Sequence, residues 1–248
     1  MNSTLSNGLY LLQVLADAPH PHSVSELSRN TGLPKSHIHR LLQTLVENQF
    51  VEKNADRCYS IGIGAFRLGH ALLRDIPMRR LYLPSMVSAV ESCKLPLTLA
   101  LPFGSQAISV AHVFHDGKIR NSSETLGTVL PARFSALGKL FLAHRPKAEI
   151  EDLLKKIDYA AKGPRVHRSA KSFRSDLKKI REQGYSINNE ESGEGAASLG
   201  VPVFEADGTL SAGIGLSGPL DAVLGKQLEK NLELLKSIRK TPQKETAA

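Results

Sequence analysis

Cysteine is scarce: Cys58 and Cys93 are the only two in 248 residues, far apart and in no CxxC spacing. That excludes a disulfide scaffold and a zinc ribbon, and it fits a reducing compartment. Long apolar runs are missing too, since no window approaches the roughly 18 consecutive apolar residues of a membrane-spanning helix. The opening stretch MNSTLSNGLYLLQVLADAPH lacks the positive n-region and small-residue cleavage site of a signal peptide, so a cytoplasmic protein with no membrane partner is expected. Phosphate loops are absent, because neither Gly62-Ile63-Gly64 nor Gly213-Ile214-Gly215 continues into GxGxxG or GxxxxGK. No GxSxG elbow offers a serine nucleophile. His112-x-x-His115-Asp116 lacks a third ligand at a known spacing, and on a helix His37 and His39 would point to different faces, so no metal and no cofactor is expected.

What is present is ordinary globular composition, 41% hydrophobic and 23% charged, with a formal net charge of +8. That length suits two modest domains, and the charge makes a polyanionic partner plausible. The basic excess is shared between residues 1–80 and 81–248, so a nucleic-acid argument must rest on particular residues on particular elements.

The first third reads as a compact helical unit. Leu5, Leu9, Leu12 and Ala16 recur at helical spacing, with Leu11 and Leu15 beside them, and Pro19 and Pro21 close the helix. Ser23-Val24-Ser25-Glu26 has the form of a capping box and starts a short second helix, which carries Val24 and Leu27 inward and stops near Gly32. Pro34 suits the first turn of a third helix, where its missing N–H has no intrahelical partner to lose. There Ile38, Leu41, Leu42 and Leu45 form the core stripe, and Lys35, Ser36, His37, Arg40 and Gln43 lie opposite. Two helices joined by a short glycine turn, the second with a donor-rich outer face, form the helix-turn-helix pattern. Residues 50–53 and 57–61 then flank Asn54-Ala55-Asp56 as a hairpin, a wing with Lys53 and Arg57 near its tip. Lys35, Ser36, His37 and Arg40 are expected to read the major groove of double-stranded DNA, and Arg57 to touch backbone or minor groove.

The stretch SVSELSRNTGLPKSHIHRLLQTLVENQFVEKNADRCYSIG resembles the winged helix-turn-helix of the IclR family of bacterial transcriptional regulators, most specifically in GLPKSxxHRLLxTL. FSALGKLFLA resembles that family's A-x-G-K-A-x-L-A segment, and the run from GYSINNEE through GVPVFEADG to LSGP resembles its C-terminal signature, so the likeness spans about residues 5–240. The resemblance implies an α+β protein: a winged helix-turn-helix over 1–61, a linker helix over 62–78, a GAF-like effector domain over 79–240 and a flexible tail from 241. It implies a homodimer, in relatives extending to a tetramer, on a partly palindromic operator. Ala65, Phe66, Leu68, Leu72 and Leu73 of the linker would offer apolar surface to a partner subunit, while Pro77 and Pro84 punctuate the chain before the second domain.

In the second domain, 97–101 and 107–113 read as strands. Helical patterns follow around Leu137–Phe141, Ile150–Ile157 and Phe173–Ile180, then a hairpin of 201–205 and 210–217 about Asp207-Gly208, and a last helix over Leu224–Ile238. Carried over from the family, the effector contacts are Ala136, Leu137, Asn188, Ser198, Gly215 and Ser217. Three depart from the family's commoner pattern, with Asn188 replacing an acid, Ser198 a cysteine and Gly215 a serine. Loss of the acid removes repulsion and Gly215 opens volume, so a small organic acid somewhat larger than glyoxylate or pyruvate is expected. Arg133 could clamp its carboxylate. The basic cluster from Lys171 to Arg181 reads as a solvated helix face. The rival reading is a small-acid-binding protein or enzyme whose N-terminal helices only dimerise. The adjacent carboxylate pair considered for that reading, Glu190-Glu191, has no visible nucleophile or metal beside it, and no enzyme is expected.

Overall fold

A computed structural model describes residues 3–114, 126–160 and 163–240 of the chain. The second half of the His112-x-x-His115-Asp116 motif and the tail from Thr241 lie outside them. The chain divides into two compact units, Met1–Ile76 and Pro77–Ala248.

The first unit runs α1 (Ser3–Ala16), α2 (Val24–Thr31), α3 (Lys35–Glu47), β1 (Val51–Lys53), β2 (Tyr59–Ile61) and α4 (Ile63–Asp75). The capping box forms: Ser23 N–H donates to Glu26 Oε2 at 2.7 Å and Glu26 N–H to Ser23 Oγ at 3.3 Å. These bonds from the Ser23 backbone and hydroxyl hold the Glu26 carboxyl below its usual range. Ile38, Leu41 and Leu42 of α3 meet Leu27 of α2 and Leu11 and Leu15 of α1 in one core. Here α1 departs from expectation. Leu11 and Leu15 carry the burial, while Leu5 and Leu9 stand 61% and 54% exposed, so the core takes the flank of the apolar face and leaves the rest of that face uncovered. The wing pairs Val51 with Ile61 and Lys53 with Tyr59, and a further bridge joins Tyr59 to His22. No residue of α4 is buried.

The second unit opens with a further difference. Pro77–Cys93 is one helix, α5, with Pro77 in its first turn and Pro84 inside it, where two prolines were expected to punctuate the chain. Pro84 removes an N–H donor, and burial of Tyr82, Met86, Ala89 and Val90 holds the helix through it. Next come β3 (Leu97–Phe103), β4 (Gln106–Val113), β5 (Val129–Leu130), α6 (Ala136–Ala143), α7 (Lys147–Lys156) and α8 (Ala170–Gln183). The chain ends through β6 (Ser186–Asn189), β7 (Ala196–Phe204), β8 (Leu210–Pro219), α9 (Leu220–Val223), a 3-10 turn at Gly225–Gln227 and α10 (Leu228–Arg239). The expected last helix is thus broken near Gly225.

The six strands form an antiparallel sheet in the order β5-β4-β3-β8-β7-β6. Gly200–Val203 and Ala212–Leu216 are buried without alternation, because helices cover both faces. The side of Gly213 and Gly215 meets α6, and α8 backs α6 through Phe173, Leu177 and Ile180. The α5 and α10 helices pack on each other and on the sheet. No described helix is long and apolar enough to cross a membrane.

Candidate functional site

In the first unit the buried face of α3 fixes what its other face presents. Ser36, Arg40 and Gln43 are exposed opposite Ile38, Leu41 and Leu42, and Lys35 is exposed at the first residue of the helix. His37 is not among the exposed residues. It is half-buried, with Nε2 3.1 Å from the Asn7 amide nitrogen, so it ties α3 to α1. Arg57 is exposed at the wing turn with φ 58, in the left-handed region. Asn54 shapes that turn, accepting the Cys58 N–H through its side chain at 2.8 Å. Lys53 lies with its Nζ 5.6 Å from the Tyr59 ring centroid, on the wing strands.

In the second unit, a cavity of about 230 Å³ opens between the sheet and the start of α6. Ala136, Leu137, Asn188, Ser198, Gly215 and Ser217 all line it, although they come from four separate elements. Ser135 is the N-cap of α6, with its hydroxyl accepting the Gly138 N–H at 3.3 Å, so the first amides of the helix, at Ala136 and Leu137, have no intrahelical acceptor. Such a helix start favours an anion. Gly138 is needed for this placement, because a Cβ there would lie 2.5 Å from the Pro131 carbonyl. Asn188 accepts the Glu191 N–H and donates to Ser192 Oγ, each at 3.0 Å.

Two expectations about the cavity need correction. Arg133 does not line it. The side chain is buried and its guanidinium donates to the carbonyls of Asp158, Ala160 and His167, so it holds the backbone at those positions instead of a ligand. Gly215 lines the cavity but does not enlarge it, because a Cβ there would lie 2.6 Å from the Leu199 carbonyl oxygen and 3.2 Å from Leu137 Cγ, which already take that space.

Sequence reading missed the far wall, Thr98, Ser109, His112 and Thr128. Its signal was available: Thr98, Ser109 and His112 are polar residues inside otherwise apolar strands. Thr98 Oγ1 lies 3.0 Å from His112 Nδ1, and burial pushes the His112 pKa down, so the ring is neutral near pH 7. No Asp, Glu, Lys, Arg or Cys lines the cavity among the described residues.

Beside it, Lys139 is 1% exposed, with Nζ 2.8 Å from Asp176 and 2.6 Å from Glu191. His167 Nε2 adds a contact to Asp176 at 3.0 Å. Burial raises the Glu191 pKa against the pull of Lys139. For Asp176 burial also pushes upward, but the His167 bond and Lys139 together outweigh it and hold the group low. His167, Asp176 and Glu191 converge as metal ligands would, yet the Lys139 ammonium already sits against both carboxylates. Glu190 is paired with Arg165 at 2.9 Å. Glu190 and Glu191 are therefore both engaged in ion pairs, and neither lines the cavity.

Comparison with known proteins agrees with this architecture. Residues 4–55 match the IclR helix-turn-helix domain, and residues 70–244 match the domain described as bacterial transcriptional regulator IclR C-terminal. The transcriptional repressor IclR of Escherichia coli is 28% identical over 223 residues, 89% of this chain and 81% of the repressor. An IclR family transcriptional regulator from Brucella abortus superposes with a TM-score of 0.80 at 22% identity, over 96% of this chain and 91% of that one. An IclR homologue from Microbacterium hydrocarbonoxydans, solved in complex with 4-hydroxybenzoate, superposes with a TM-score of 0.72 at 21% identity over 96% of both chains. With a helix-turn-helix at one end, an α/β unit at the other and both halves matched along their length, the chain belongs to the IclR family of bacterial transcriptional regulators.

Proposed function

We propose that the protein is a cytoplasmic, dimeric regulator that binds a partly palindromic DNA operator and whose binding is altered by a small organic acid. The observation that carries the DNA half is the face of α3: Ser36 and Arg40 are exposed opposite the buried stripe Ile38, Leu41 and Leu42, and Lys35 is exposed at the helix start. Arg40 offers a fork for guanine O6 and N7, and Lys35 and Ser36, at the helix start, suit phosphate or base edges. His37 supports α3 through Asn7. Arg57 on the wing supplies sequence-independent phosphate contact.

The α6 start, its two free amides and the hydroxyls of Ser198 and Ser217 are the acid's site on this reading. The homologue carrying 4-hydroxybenzoate supports an acid of that kind. The partner subunit is a second copy, because α4 buries none of its side chains and presents Phe66 and Leu72, 69% and 66% exposed, as apolar surface that its own unit leaves uncovered.

Selection of genomic fragments by the purified protein, with and without candidate acids, tests the reading. A palindromic site should be recovered. Replacing Arg40 with Ala should cost about 1–3 kcal/mol and relax one base position, whereas Arg57→Ala should weaken all sequences alike and flatten the salt dependence. Equal loss across operator variants for Arg40→Ala removes its base-reading role. No enriched site under any condition overturns the function.

A further inference from the structure

The far wall of the cavity has a polar group with no structural use. Ser109 is 3% exposed and its hydroxyl has no hydrogen-bond partner among the described residues. Buried hydroxyls are normally satisfied, and one left open at a cavity wall calls for a ligand atom. A feature of the backbone puts it there. Ser109 and His112 are three residues apart on β4, so in a regular strand they would face opposite sides of the sheet. The register between β3 and β4 shifts at Leu99/Ala100, where Leu99 pairs with Ala111 but Ala100 with Ser109. Val110 is the extra residue, and the bulge turns Ser109 to the side that His112 already faces. Ser109 then stands in the row of Ala100 and Gly213, and His112 in the row of Thr98 and Gly215, both on the face covered by α6.

We infer that Ser109, His112 and Thr98 form a second subsite that reads a neutral oxygen, a hydroxyl at the far end of the effector from its carboxylate. This rests on the reading of the α6 start as the carboxylate site. Thr98 fixes the His112 ring through Nδ1, leaving Nε2 to donate or accept according to the tautomer. Ser109 can do either as well. Among the described residues no charged side chain lines the cavity, so a second carboxylate, a phosphate or an ammonium group would be desolvated there without a counter-charge from them. A volume of about 230 Å³ lies below the roughly 300–1,000 Å³ of sites for drug-sized ligands, so the molecule is metabolite-sized. The class is a small monocarboxylic acid bearing a distal hydroxyl.

Calorimetric titration of the full chain with three matched sets tests the inference: 3-hydroxypropanoate, 4-hydroxybutyrate and 4-hydroxybenzoate, each beside the acid lacking the hydroxyl and beside the primary amide of the hydroxy acid. At least one hydroxy acid should bind about tenfold tighter than its deoxy partner, the size of one well-made neutral hydrogen bond. In Ser109→Ala that preference should fall towards one. Because this variant removes an unpartnered buried hydroxyl, it should melt no lower than the wild type without ligand, which separates a lost contact from a damaged fold. If it does not fold, Thr98→Val, which releases His112, carries the same ratio. A wild-type ratio near one, or a preference that survives in the variant, overturns the subsite. A hydroxy amide that binds as well as its acid, with the same Ser109 dependence, keeps the subsite and removes the carboxylate reading. Absence of binding by every compound overturns both.

Discussion

Lys139 is the costliest residue to bury in the second unit, and its context was visible as a lone lysine in the otherwise apolar run ALGKLFLA. What the run could not reveal is where its charge goes. Asp176 and Glu191 come from distant positions, and only the packing of α8 and the segment after β6 against α6 brings them to Nζ. Replacing Lys139 with Met keeps the length of the side chain but leaves the buried Glu191 carboxylate and the partly buried Asp176 carboxylate without their shared cation, and chemical denaturation should register a loss of about 3–5 kcal/mol. Histidine burial acts on a different variable. His112 and His144 both have pKa values lowered from 6.5, in each case chiefly by burial. The unfolded chain therefore binds more protons than the folded one as pH falls through about 6.5, so these groups lower stability in that direction. Melting temperature should drop between pH 7 and 5, and His112→Asn should flatten part of that slope. An unchanged profile in the variant would show that His112 is not the titrating group.

Elements were legible where periodicity and caps spoke together. The α2 and α3 helices were readable from the capping box, Pro34 and the stripe Ile38, Leu41 and Leu42, and the wing from two short runs around Asn54. Less was legible where neighbours decide. The apolar face of α1 is wider than the core needs, so sequence spacing chose Leu5 and Leu9, while packing against α3 chose Leu11 and Leu15. Proline at 84 argued for a break, and tertiary burial carried α5 through it. Arg133 is the same kind of case. A basic residue beside a predicted anion site invites a ligand role, but its guanidinium is used by the backbone carbonyls of Asp158, Ala160 and His167. Arg133→Ala should destabilise the second unit by about 2–3 kcal/mol, the scale of charge-assisted hydrogen bonds to buried groups, without changing acid affinity. Calorimetry on the variant checks both, and a large loss of acid binding in a folded variant would return Arg133 to the site.

At the scale of the whole molecule, the exposed apolar surface of α1 and α4 is the feature a single chain leaves unexplained. Leu5, Leu9, Phe66, Leu68 and Leu72 are all more than half exposed. On the dimer reading, Phe66→Glu with Leu72→Glu should shift sedimentation towards the monomer and weaken operator binding, since two half-sites are then no longer held together. A double variant that still sediments as a dimer would put the interface elsewhere. Local chemistry written along the chain was sufficient for the helix-turn-helix and for most of the strands and helices, because caps, turn residues and apolar periods act between neighbours in sequence, while the family and the six positions that meet at the cavity were legible only through resemblance to the IclR family. The register shift that aims Ser109, the partners of Lys139, the use of Arg133 and the filling of the space over Gly215 by Leu199 and Leu137 were decided only in three dimensions. Each depends on which distant atoms close packing brings within a few ångströms, and no spacing along the chain encodes that distance.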